Sequence, residues 1–345
     1  MNLYRKLVVF TLILTSAVVV FGAYVRLADA GLGCPDWPGC YGKLTPTMAA
    51  EHIHEAFEAN PHGPVSMPKA WKEMIHRYLA SSVGLLIIAI AALAWRNRRD
   101  ARAAPGVATA LIGVVVFQGL LGMWTVTLLL KPAIVTAHLI GGMTTLAILA
   151  WLAMRAHAPA AVAAPGTLRW LAPLAFMLLA VQVLLGGWVS TNYAALACTD
   201  FPTCHGSLWP QADYSNAFHV IRELGMTAEG ELLSHEALTA IHWMHRVGAL
   251  VAGVALLALG LALRASPGLR GSGNALLAAL ALQVTLGVAN VLLSLPLLLA
   301  AAHNAGAALL VVIMVCVNYR VAQSAAVLQQ GRQHDERARH ENSFA

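Results

Sequence analysis

Four histidines, His76, His138, His245 and His303, stand at matching places in two halves of a very apolar chain. An imidazole is costly inside lipid unless something offsets its polarity, and a bond to a metal does so. Two ring nitrogens approaching from opposite sides suit the iron of a flat macrocycle, so the four residues have the makings of two bis-histidine haem sites. Zinc suits them less well, because it wants four ligands converging on one point. A plainer reading has the rings reaching only for the lipid headgroups, and repetition at four related positions argues against it. His52, His54, His62, His205, His219 and His235 fall in polar segments, and His157, His334 and His340 near basic ones; none is assigned a role. His242 precedes His245 by three residues, on the same helix face, where it could support the ligand.

Further groups flank these histidines. Glu73 precedes His76 by three residues, while His242 holds the corresponding place in the second half. A carboxylate one helical turn from an iron ligand can accept a proton, although a solvated interfacial acid is the plainer reading. Arg77 and Arg246 each follow a histidine directly, and a guanidinium there suits a haem propionate or an interfacial anchor equally. The cysteines form two C-x5-C pairs, CPDWPGC with Cys34 and Cys40, and CTDFPTC with Cys198 and Cys204. In an oxidising compartment such short loops favour disulfides Cys34–Cys40 and Cys198–Cys204, with zinc binding as the alternative. A bridge there could pin a lid over each site or exchange electrons with it. Cys316 reads as a small apolar filler.

These residues need membrane helices to position them. Of the 345 residues, 59% are hydrophobic and only 11% charged, which defines a membrane protein. Eight apolar stretches can each cross a bilayer core of about 30 Å: 6–26, 77–95, 106–129, 133–154, 168–191, 242–263, 274–294 and 298–319. Basic residues mark the ends. Of the 22, 14 fall at or beside the start of span one, the turns between spans two and three, four and five, and six and seven, or the end of span eight. The positive-inside bias makes that face cytoplasmic, with both termini on it. The segments 27–72 and 192–241 then lie outside, and the second sets six acids against Arg222 alone. The net charge of +6 is explained by short loops and a short tail, and no nucleic-acid surface is expected.

The chain is written twice. Cys34, Asp36, Pro38, Cys40, Gly42, Leu44 and Pro46 meet Cys198, Asp200, Pro202, Cys204, Gly206, Leu208 and Pro210, each pair 164 positions apart. Gln118 with Gly122 meets Gln283 with Gly287, and Pro132 with His138 meets Pro296 with His303. Each half has four spans, so both enter the membrane from the same side and the repeats are parallel. The expected fold is an all-α polytopic membrane protein, eight transmembrane helices arranged as two four-helix bundles. The first bundle is 1–155, followed by a cytoplasmic linker at 156–167, a second bundle at 168–320 and a cytoplasmic tail at 321–345. The paired histidines are expected at equal depth on neighbouring helices, in the first turn or two of each.

The paired loop cysteines, the E-x-x-H-R heading span two, the H-R heading span six and the histidines heading spans four and eight together resemble the haem A synthase family. The resemblance runs from Gly22 to about Arg320. It implies an integral protein of the bacterial cytoplasmic (inner) membrane that oxidises a methyl group of haem O to a formyl group. It implies haem O as the substrate, bound through His76 and His138, and haem b as the cofactor, bound through His245 and His303. Glu73 would then mark the first half as catalytic, with the second half an electron relay. Haem O synthase (the farnesyltransferase) and terminal oxidase assembly factors are the implied protein partners, the lipid bilayer is the environment, and a homo-oligomer is left open. Two other functions compete: a di-haem cytochrome b that only passes electrons, and a membrane thiol–disulfide oxidoreductase, which leaves the histidines unexplained.

Overall fold

The computed structural model describes residues 1–342, with side chains through Ser324. Expectations placed on Arg332, His334, Arg337, Arg339 and His340 concern side chains outside the described residues, as does the end of the 321–345 tail. Among the described residues there is no strand, and eight helices are long and apolar enough to cross a membrane. They are α1 (Asn2–Leu27), α2 (Met67–Arg96), α3 (Pro105–Thr127), α4 (Pro132–His157), α5 (Leu168–Thr191), α6 (His235–Ala265), α7 (Arg270–Leu292) and α8 (Leu297–Asn342). The protein is an all-α integral membrane protein.

Local sequence explains the boundaries. Proline stands at the start of α2, α3 and α4, where its missing N–H is no loss. Ser234 caps α6 by accepting the Ala237 N–H at 3.2 Å. The spans read from hydropathy start late by about two to three turns in two places. α2 begins at Met67 rather than 77, and α6 at His235 rather than 242. Their first turns carry polar residues such as Lys69, Lys72 and Glu236, so they stay helical after the apolar signal ends. His76 and His245 therefore sit in the third turn of their helices, not the first or second.

Packing follows one pattern in each half. α1 touches α2 and α4, and α3 touches the same two; likewise α5 touches α6 and α8, and α7 touches the same two. The histidine-bearing helices α2 and α4, and α6 and α8, are thus diagonal across their quartets rather than neighbours, which corrects the expectation from sequence. The diagonal places ligands on opposite sides of the space between them. α4 and α5 join the quartets closely: Thr136 and Thr191 hydroxyls share a hydrogen bond of 3.1 Å, and a Cβ on Gly187 would stand 2.9 Å from Leu139. Small residues permit such approach in a membrane. Large side chains such as Phe10, Ile13, Leu85, Phe117, Met177, Leu250 and Leu261 are exposed along the spans, where lipid would cover them.

The segments between α1 and α2 and between α5 and α6 meet at one end. There Arg26 donates to the Ser190 carbonyl at 3.1 Å and stacks over the Tyr193 ring, whose hydroxyl bonds Asp29 at 3.0 Å. At the other end Tyr4 donates to the Ala103 carbonyl at 2.7 Å and Arg320 to the Ser272 hydroxyl at 3.1 Å. The repeat reaches the backbone. Left-handed residues fall at Asp29 and Tyr193, at Tyr41 and His205, and at Leu129–Leu130 and Ser294–Leu295.

Candidate functional site

Each of the four histidines is half-buried and faces a glycine on the preceding helix. A Cβ on Gly22 of α1 would stand 2.7 Å from Cε1 of His76. The matching distances are 3.3 Å from Gly122 of α3 to His138, 3.1 Å from Gly186 of α5 to His245 and 3.0 Å from Gly287 of α7 to His303. Any side chain at these places would push the ring away. The buried Nδ1 atoms of His76, His138 and His303 have no hydrogen-bond partner. An unsatisfied nitrogen buried in a membrane is expensive, and a bond from that nitrogen to a metal would offset the cost. Paired rings with glycine cradles and unsatisfied nitrogens, on diagonal helices, fit a haem in each quartet. Among the described residues no three His, Cys, Asp or Glu side chains converge to hold a bare metal ion.

Three of the histidines have an additional partner, at the ring or at the backbone carbonyl. Gln118 Nε2 donates to the His138 carbonyl at 2.7 Å, and Gln182 Nε2 to the His245 carbonyl at 3.1 Å while lying 3.0 Å from the ring. Gln283 Nε2 lies 3.3 Å from the His303 ring. Gln118 and Gln283 were visible as a repeated pair in the sequence, but their role was not, and Gln182 was missed altogether. The signal was present as Gln-x-x-x-Gly on the helix before each of these histidines.

Above the histidines sit the two cysteine loops, and their shared residues now have reasons. The Asp36 carboxylate accepts the N–H groups of Tyr41 and Gly42, both at 2.6 Å; Asp200 accepts those of His205 at 2.8 Å and Gly206 at 2.9 Å. Gly42 and Gly206 have positive φ, which the tight return of the loop requires. The Thr203 hydroxyl and these N–H groups hold the Asp200 carboxyl well below the usual carboxylate range. Trp37–Pro38 and Phe201–Pro202 are both cis. Cys34 and Cys40 lie at disulfide distance, as do Cys198 and Cys204, each pair with its Cα atoms 4.9 Å apart.

Glu73 and the two arginines fasten these loops. Glu73 is 4% exposed, so it is not a solvated interfacial acid. One of its oxygens accepts the Cys34 N–H at 2.9 Å and the other pairs with Arg77 at 2.5 Å. His242 does the same work in the second half, its Nδ1 accepting the Cys198 N–H at 3.2 Å. Arg77 also donates to the carbonyls of Asp36 at 2.9 Å and Gly39 at 2.5 Å. Arg246 donates to those of Asp200 at 2.8 Å, Thr203 at 2.7 Å and Cys198 at 2.8 Å. Of the two roles open to Arg77 and Arg246 in the sequence, propionate contact or anchor, these bonds display the anchor. Loop carbonyls turned inward by the aspartate turn take their hydrogens. Non-reducing peptide mapping should recover Cys34 linked to Cys40 and Cys198 linked to Cys204; four free thiols, or one zinc per chain, would contradict both pairings.

The fold and site together define a polytopic membrane protein with two histidine pairs, each seated against glycine beneath a fastened loop. Comparison with known proteins takes this further. Residues 5–315 match the family described as COX15-CtaA, cytochrome oxidase assembly protein, and the chain belongs to that family. It is 40% identical to a heme A synthase of Shewanella oneidensis, over 90% of this chain and 94% of that protein. It is 30% identical to a heme A synthase of Caulobacter vibrioides, over 88% and 92%. A heme A synthase of Rhizorhabdus wittichii is 29% identical over 86% and 88%.

Proposed function

We propose that the protein is a haem A synthase, oxidising the C8 methyl group of haem O to a formyl group through a hydroxylated stage. Relatives bearing that name along most of the chain support the reading. The observation that carries it is the doubled histidine pair with a carboxylate, Glu73, buried beside only one of the four rings. In this reading the bundle of 1–155 binds the substrate, with His76 and His138 on its iron. The bundle of 168–320 binds haem b through His245 and His303, and 156–167 links the two. A haem in the second bundle would supply one-electron exchange.

The chain's own residues then divide the work. Gly22 and Gly122 give the rings of His76 and His138, which would hold the substrate iron, room against the neighbouring helix. The loop closed by Cys34 and Cys40 shields the outer end from bulk water, where a nearby charge counts for more. Glu73, held by Arg77 and the Cys34 N–H, is oriented to take up a proton as the methyl group loses hydrogen. The basic loops at the opposite end support a cytoplasmic placement for both termini, with the cysteine loops outside a bacterial inner membrane. A farnesyltransferase that makes haem O and factors that assemble terminal oxidases are the matching partners.

Pigment analysis tests the reading. Protein purified after co-expression with a haem O-producing farnesyltransferase should yield haem A, and hydroxylated haem, beside haem b. Haem b alone, in unchanged amount with and without the farnesyltransferase, would make the protein a di-haem cytochrome b instead.

A further inference from the structure

Three histidines are set in one repeated arrangement, and the fourth departs from it. The preceding helix carries Gln-x-x-x-Gly: Gln118 and Gly122 on α3, Gln182 and Gly186 on α5, Gln283 and Gly287 on α7. The histidine helix carries His-x-x-Gly: His138 and Gly141 on α4, His245 and Gly248 on α6, His303 and Gly306 on α8. The second glycine makes room for the glutamine, whose Oε1 lies where a Cβ at Gly141, Gly248 or Gly306 would stand. From there the amide nitrogen reaches the histidine, at its carbonyl for His138, its ring for His303 and both for His245.

His76 keeps its first glycine, Gly22, and has neither other part. Val18 stands where the glutamine would be, and Leu79 where the second glycine would be. Val18 is 8% exposed and lies in the apolar core of the first quartet, against which Leu79 packs. The His76 Nδ1 has no partner, as in His138 and His303; what sets His76 apart is that no glutamine reaches either its ring or its carbonyl. Both halves otherwise match closely, down to the left-handed residues of their loops.

We propose that this missing glutamine clamp makes His76 the releasable ligand of the substrate site, while the three clamped histidines hold their haems firmly. The inference rests on the division of halves given above. A metal-bound imidazole keeps an N–H on its other nitrogen; the glutamine amide, turned with its oxygen toward the ring, would accept it for His245 and His303, and a partner of that kind changes metal affinity by about 10- to 100-fold. A substrate has to leave after it has been oxidised, and one weak axial ligand is enough to let it go. A permanent cofactor has to stay, and both ligands of the second half are clamped.

The test transfers the clamp in each direction and follows haem loss instead of turnover. Full-length protein loaded with haem in both halves is mixed with excess apomyoglobin, and haem transfer is followed by absorbance. The wild type should lose haem in two phases, the fast one from the first half. Val18→Gln with Leu79→Gly builds the glutamine and its glycine around His76, and should slow the fast phase by about 10-fold or more. Gln182→Val removes the clamp from His245 and should speed the slow phase by about 10- to 100-fold. Should the double variant fail to fold, Gln182→Val still decides the matter. A single phase in the wild type, or a slow phase unmoved by Gln182→Val in a protein of normal helix content, overturns the proposal. So does a folded double variant with an unchanged fast phase. If the phases respond as expected but no haem A is ever formed, the clamp stands and the synthase reading fails. If haem A is formed and the phases do not respond, the clamp alone fails.

Discussion

Glu73→Gln and Glu73→His should each give a folded protein that still binds haem O but makes haem A about 100-fold more slowly, or worse, the lower range for a lost general base. The two variants separate chemistry from scaffolding. Glutamine can still accept the Cys34 N–H but carries no charge opposite Arg77. Removing one partner of a buried ion pair costs about 3–5 kcal/mol, so a loss of output in Glu73→Gln alone could come from a loosened loop. Histidine answers that objection, because the second half already uses His242 at this place. There its Nδ1 accepts the Cys198 N–H while the ring lies beside the Arg246 guanidinium. Haem extracted from each variant would be analysed for haem O, hydroxylated haem and haem A. Normal haem A output from Glu73→His would reduce Glu73 to a loop fastener and remove the main support for a catalytic first half.

His303→Ala, and separately His245→Ala, should abolish the low-spin haem b spectrum, with haem b content falling from one per chain towards none. Each ring lies against a glycine on one side, and the side chain that reaches it, Gln182 or Gln283, is a neutral amide and a poor substitute for imidazole on iron. His76→Ala should leave that spectrum in place, since its ring belongs to the other quartet. Reduced-minus-oxidised spectra and extracted haem b per chain measure both. Loss of haem b in His76→Ala, together with its retention in His303→Ala, would show that the halves had been assigned the wrong way round.

The residues that declare themselves in the sequence are those whose chemistry is unusual for their setting. Four histidines in apolar spans, an acid beside one of them and paired loop cysteines are conspicuous because lipid penalises polar groups and repetition removes coincidence. Spans were legible for the same reason, and α5 was read without error at 168–191. What escaped depends on three-dimensional proximity. Gly186 and Gln182 are ordinary residues until α5 meets α6, and then both touch His245. Arg77 stayed open between propionate and anchor because its spacing from His76 is compatible with both. The competing acceptors, the carbonyls of Asp36 and Gly39, come within reach only once Asp36 has folded the loop. The starts of α2 and α6 were lost because hydropathy reports the lipid boundary, and these helices continue beyond it.

The fastening of the two loops has a consequence for the sulfur atoms beneath them. Cys34, Cys40, Cys198 and Cys204 are all fully buried. A carrier thiol exchanges with a disulfide only by direct attack on a sulfur, which needs an open approach. While the loops are seated that approach is shut, and it is shut by Asp36, Arg77, Glu73 and their counterparts as well as by the bridges themselves. A carrier thiol would therefore reach these sulfurs only before the loops dock or after they lift.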